Sequence, residues 1–317
     1  SGLRDQRDAL LRELSELMDV TVREQPDGSI NIYIGGETLV QGNTSRGLSA
    51  VTETDGEFVR TTARFTDTDQ QIQVRSGQLA ALSIARDAEA YGRIAALDQL
   101  AAAVIADVNR VHADGQGLAG FTSVTGSYDL FSTDTALNAS ATGLPFPPQS
   151  GSFYVTVLDA ASKTPVSYRI AVDLDGGGAA DTTLESLVAD FNAQVSGVAA
   201  SITSDRRISF TADPGYTFVF GYDGQVARED TSNVLAALGV NTFFTGTNAA
   251  NIEVNATIRS QPNLIAAASV FLSGDGSNAT RLAGLSEAVS RQLGSVSLND
   301  FYSSIRNAAA VSAAGAN

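Results

Sequence analysis

Chemistry in this chain would have to pass through very few residues. His112 is the only histidine, and there is no cysteine. A nucleophilic triad would need His112 as its base, yet no Gly-x-Ser-x-Gly elbow accompanies it. Its place at the end of a helical pattern suits a cap against the last helical carbonyls instead. The missing cysteines remove disulfides, thiolate metal sites and thiol nucleophiles together. Asp173, Asp175 and Gly176 open the run DLDGGG, with Asp181 further on. Calcium loops gather oxygens from closely spaced Asp and Gly in this manner. The closing Glu is absent at the required spacing, so the run reads as a loop between strand and helix. Gly274-Asp275-Gly276 has the glycines of a phosphate loop without its lysine, and reads as a turn between helices. Arg86-Asp87 sets an acid beside a cation, an arrangement far commoner as a surface ion pair. Nowhere do a nucleophile, a base and an oxyanion donor fall together. The sequence therefore assigns no catalytic, cofactor-binding or metal-ligating residue, and the chain is read as not an enzyme.

Composition points the same way. Hydrophobic residues make up 43% and charged residues 17% of 317, which is enough apolar material for two or three cores. The formal net charge of −15 opposes binding to nucleic acid or to an anionic membrane. No apolar run reaches the roughly 18 residues that a bilayer span requires.

The elements that would position these residues follow from periodicity. In residues 3–18, Leu3, Leu10, Leu14 and Leu17 share one face of an amphipathic helix that needs a partner. Residues 20–65 alternate: Val20 and Val22, then Pro26-Asp27-Gly28, then Ile30, Ile32 and Ile34 to Gly35-Gly36. Two further runs follow around Asp55-Gly56, predicting a small antiparallel sheet of hairpins. Residues 78–112 carry the strongest helical signal, with Ile94, Leu97, Ala101, Val104, Val108 and Val111 spaced as a heptad seam. Residues 113–150 lose periodicity and read as a connector and domain boundary. Residues 151–254 alternate again around one amphipathic helix capped at Thr182 or Thr183, a strand–strand–helix–strand–strand module. Residues 256–317 return to helix, with stripes at Leu282, Leu285, Val289 and at Leu298, Tyr302, Ile305, Ala309. The chain opens at Ser1-Gly2-Leu3 and stops at Asn317 inside helical patterns, so it reads as an interior piece of a longer protein, with Ser1 an added residue.

The predicted fold class is α+β. A discontinuous long-helix bundle over 1–140 and 255–317 carries a small β-hairpin sheet in 20–65. A mostly β, α+β outer domain at 151–254 is inserted in it. Leu10, Leu14, Leu97, Val104 and Val108 are expected in the helical core.

Six collinear segments resemble the hook–filament junction family of flagellar hook-associated proteins. They are LRDQRDALLRELSELMDVTVREQPDGSINIYIGG with the following Leu39-Val40; SGQLAALSIARD with Gly77, Leu79, Leu82, Arg86 and Asp87; ALDQLAAAVIADVNRVHADGQGLAG with Asn109, His112, Gly115, Gly117 and Gly120; VNTFFTG with GDGSNATRLAGL; and LNDFYSSI. The family more usually has Asn where Gly276 stands. The resemblance covers residues 1–140 and 235–317, and 151–234 is the variable part. It implies a structural protein exported by the flagellar type III apparatus and assembled outside the cell. Its partners would be copies of itself in a ring, hook protein on one side and the next hook-associated protein on the other. The terminal helices of such proteins form an inner tube; without them, this chain is expected to be monomeric. The alternatives are another axial protein (a hook or filament subunit), an adhesin or glycan-binding module in 151–254, and a hydrolase there, which the absence of histidine in that stretch disfavours.

Overall fold

One helical run extends from Gln78 to Ala113 in three parts: an α-helix at Gln78–Ile84, a π-helix at Ala85–Tyr91 and a long α-helix at Gly92–Ala113. The computed structural model describes residues 2–55, 58–162, 164–176 and 181–315. Two compact units divide within this run, Ser1–Arg93 and Ile94–Asn317.

In the first unit, the helix Gly2–Leu17 and a four-stranded antiparallel sheet enclose a small core. The sheet runs Val20–Glu24, Ile30–Ile34, Glu37–Gln41 and Thr44–Ser45 in sequential order. Alternation sets the buried face: Ile32 and Ile34 pack with Met18, Leu39, Phe65 and Ile72, and Leu11 and Leu14 lie against them. The Leu48–Asp55 and Phe58–Phe65 strands form a separate hairpin in continuous register. Its Gly56, assigned to the turn by sequence, lies outside the described residues, as do Ser1 and Asn317. Within this unit, Arg46 ties the end of the four-stranded sheet to the end of the Phe58–Phe65 strand. Its guanidinium lies 4.0 Å from the Phe65 ring centroid and bonds the Asp67 carboxylate at 2.7 Å. That pairing holds Asp67 below the usual carboxylate range.

In the second unit, one core joins three sheets and short helices. Gly151–Asp159 pairs with Pro165–Val172 on one side and with Tyr216–Phe220 on the other. Ile208–Ala212 pairs with Val198–Ile202 and with the short strand Ser123–Thr125. Phe153, Phe191, Phe210, Phe218 and Phe220 interlock, with Phe191 and Phe210 centroids 4.8 Å apart. The helix Leu184–Gln194 starts with a reciprocal capping box between Thr183 and Ser186. Glu185 instead accepts a bond from the Thr133 hydroxyl.

The fold class is α+β, with small antiparallel sheets and a long helix. Three expectations change. The stretch 113–150 is not an unpacked connector, because Leu130 and Leu137 are fully buried in the same core as 151–220. Leu10 and Leu97 are exposed at 65% and 41%, and Val104 and Val108 are half-buried, so the heptad seam is not this chain's own core. Instead, the long helix buries Ala103, Ile105, Asp107, Asn109 and Val111. Finally, residues 256–297 hold only short helices, Ala256–Ser260 and Ser277–Gly284, and the long one is Leu298–Gly315. No helix among the described residues is long and apolar enough to cross a membrane.

Candidate functional site

The long helix ends in a buried polar knot, built from residues more than a hundred positions apart. His112 is fully buried. Its Nδ1 lies 2.7 Å from the Asn241 carbonyl oxygen, and its Nε2 accepts the Ala266 N–H at 3.0 Å. A carbonyl can only accept and an N–H can only donate, so the ring is the neutral tautomer with its proton on Nδ1. Burial pushes its pKa below the ordinary value. The ring packs at 5.6 Å from Phe243. Both nitrogens are engaged by backbone, which leaves neither for proton transfer to a substrate.

The last carbonyls of a helix need donors, and two asparagines supply them. The Asn241 amide donates to the carbonyls of His112, Ala113 and Gly115 at 3.2, 3.2 and 3.1 Å. Asn278 donates to Val111 and Ala266 at 3.1 and 2.8 Å. One turn earlier, Asn109 imitates a strand edge: its Oδ1 accepts the N–H groups of Phe243 and Phe244, and its amide donates to the Phe244 carbonyl. Gly115 is required by close approach, since a Cβ there would stand 2.1 Å from Asn278 Nδ2. Gly221 meets the Asp114 carbonyl in the same way, at 2.0 Å.

Beside the knot lies a buried acid cluster. Asp114 Oδ1 accepts the Asp230 N–H at 2.7 Å, and its other oxygen is 3.8 Å from Arg281, which also pairs with Glu229 at 2.6 Å. Burial pushes Asp114 up to about 7 and Asp230 up to about 6. Asp230 spends its oxygens on the N–H groups of Ser232 and Leu235, at the start of the short helix Val234–Ala237.

The remaining sequence candidates take structural places. Asp275 accepts N–H bonds from Ser269, Val270 and Ser277, which hold it well below the carboxylate range. The loop that resembled a phosphate cradle is thus filled by its own carboxylate. Arg86 bonds Asp87 at 2.6 Å, and Arg60 joins Asp87 from the Phe58–Phe65 strand. The carboxylates of Asp173, Asp175 and Asp181 lie within 4.8 Å of one another. Gly177 and Gly178 of that run lie outside the described residues. Sequence reasoning placed His112 at the helix end, but as a cap on the last helical carbonyls; Asn241 and Asn278 take that role, while the ring bonds the Asn241 carbonyl and the Ala266 N–H. The signal was present only as two short segments, VNTFFTG and GDGSNATRLAGL, with no periodicity to connect them to residue 112.

Comparisons with known proteins match the N-terminal part of the chain. Residues 1–131 match the family model described as the flagellar hook-associated protein FlgK helical domain. Flagellar hook-associated protein 1 of Salmonella typhimurium is 41% identical over 68 residues, 21% of this chain and 12% of that protein. The Escherichia coli K12 protein of the same name gives the same identity over the same length. The aligned stretch spans only 12% of the length of each of these relatives. The flagellar hook junction protein FlgK from Burkholderia pseudomallei is similar at 20% identity and a TM-score of 0.38, over 84% of this chain and 45% of that one. Residues 1–131 of this chain are thus similar to the FlgK helical domain, and a 68-residue stretch is similar to flagellar hook-associated protein 1.

Proposed function

We propose that this chain is part of a structural component of the bacterial flagellum that joins hook to filament as a ring of subunits. In this reading, the protein is exported by the flagellar type III apparatus and works outside the cell. It touches copies of itself, hook protein on one side and the next hook-associated protein on the other. The family match over residues 1–131 carries the reading. The chemistry-bearing residues support it, because His112, Asn109 and Asp275 spend their polar atoms on this chain's own backbone. Apolar helix residues exposed on the single chain, Leu10 on the first helix and Ile94 and Leu97 of the heptad seam, supply apolar surface for neighbours in an assembly.

The 151–254 stretch acts in this proposal as an outer module that tolerates variation. The full-length protein lacking 151–254 is expected still to join hook to filament, and loss of assembly on that deletion would contradict the view of the stretch as an outer module.

Deletion of the gene in its source bacterium tests the function. The expected cells carry hooks without filaments and release filament subunits into the medium. Filaments of normal length on the deleted strain would refute the junction role.

A further inference from the structure

The π-helical segment Ala85–Tyr91 is not accounted for by its own sequence. It reads ARDAEAY, rich in residues that favour the α-helix, and contains neither Gly nor Pro. Its flanking residues Ile84 and Gly92 are α-helical, with φ of −63° and −60°. A π stretch seven residues long is rare, and such stretches concentrate where a helix does something besides pack. A tertiary hold must therefore keep the segment out of the α register.

That hold is visible. The strand Phe58–Phe65 grips the segment at both ends. Arg86 donates to the Thr61 carbonyl at 2.6 Å while bonding Asp87. Arg60 reaches across to Asp87 at 2.8 Å. One π turn later, the Tyr91 hydroxyl donates to the Val59 carbonyl at 3.1 Å. The strand is itself anchored, because Phe65 at its end is fully buried in the first unit's core.

We propose that the Leu48–Phe65 hairpin is a lever that sets the register of this helix: engaged, it holds Ala85–Tyr91 in the π form, and released, it lets the segment relax to α. Each residue of register turns an α-helix by about 100°. Leu82 and Ile84, just before the segment, are exposed apolar residues. A displacement of the hairpin turns them relative to Tyr91 and Gly92 at the segment's far end.

The absence of native cysteine makes the test direct. Leu82→Cys and Gly92→Cys carry spin labels, and their separation is measured in the whole chain; Gly92 is exposed, and a side chain there meets nothing within 4 Å. The otherwise unaltered protein is expected to give one narrow distance. Arg86→Ala and Asp87→Ala should both shift it to the same longer value, since an α-helix rises more per residue than a π-helix. An unchanged distance in both variants overturns the proposal. Hydrogen exchange on the unsubstituted protein gives an independent reading, should a variant fail to fold. Amides of 89–93 should open at the rate of those of Val59 and Thr61, and independent opening of the two sets also overturns it.

Discussion

His112 and Asn241 bond each other twice: the histidine ring donates from Nδ1 to the Asn241 carbonyl at 2.7 Å, and the Asn241 amide donates back to the His112 carbonyl at 3.2 Å. The exchange closes a helix end against a segment 129 positions away. Truncation leaves the Asn241 carbonyl and the Ala266 N–H buried without partners and opens a cavity. His112→Ala is therefore expected to lose about 2–4 kcal/mol of stability. Urea unfolding at neutral pH checks the value.

The same histidine sets a pH dependence. Its folded pKa lies below the ordinary 6.5, so below that pH the unfolded chain binds the extra proton. Its contribution is fully present above 6.5 and is lost as pH falls. The midpoint in urea should drop between pH 7.5 and 5 more steeply in the native protein than in His112→Ala.

Asp114 works in the opposite direction. Its folded pKa is about 7 against 3.8 unfolded, so the native state holds the proton through that window. The associated stability is present below 3.8 and is lost as pH rises towards 7. Asp114→Asn retains an acceptor for the Asp230 N–H and removes the titration. At pH 8 this variant should exceed the native protein by about 1–3 kcal/mol, an advantage that vanishes near pH 4. Parallel denaturation curves at the two pH values would contradict it.

Gly115 should tolerate no side chain. A Cβ there meets Asn278 Nδ2 at 2.1 Å and Ala266 Cβ at 2.9 Å. Gly115→Ala is expected to cost about 1–3 kcal/mol by overpacking. Combining it with Asn278→Ala should cost less than the sum of the two single changes, because the clash partner is removed. Thermal melts of the three variants measure the coupling.

Asn109→Ala removes an acceptor shared by two backbone N–H groups and a donor to one carbonyl. The expected loss is about 2–4 kcal/mol. Amides of Phe243 and Phe244 should lose their exchange protection first.

Much of the frame was legible from periodicity. The alternation at Ile30, Ile32 and Ile34 fixed both a strand and its buried face, and the apolar spacing after residue 78 gave a helix ending where one is found. What failed had a common physical cause. The seam at Ile94 and Leu97 has helical spacing, but spacing cannot say whether the covering surface belongs to this chain or to another. Leu130 and Leu137 sit in a stretch rich in Gly and Pro without a regular period, so their placement depends on contacts with Arg206 and Thr182 that no local pattern encodes. The π register at Ala85–Tyr91 was invisible because its residues favour α, and the opposing contacts come from Val59, Arg60 and Thr61. The polar knot was half legible: His112 read as a helix-end residue, while its caps at Asn241 and Asn278 are set by long-range folding.

The proposed place in the flagellum, between hook and filament, is tested most directly by localisation. Antibody raised against this chain, coupled to gold and applied to intact flagella in the electron microscope, should label one narrow band between hook and filament. Label distributed along the filament or the hook, or none on flagella that retain both, would contradict the account.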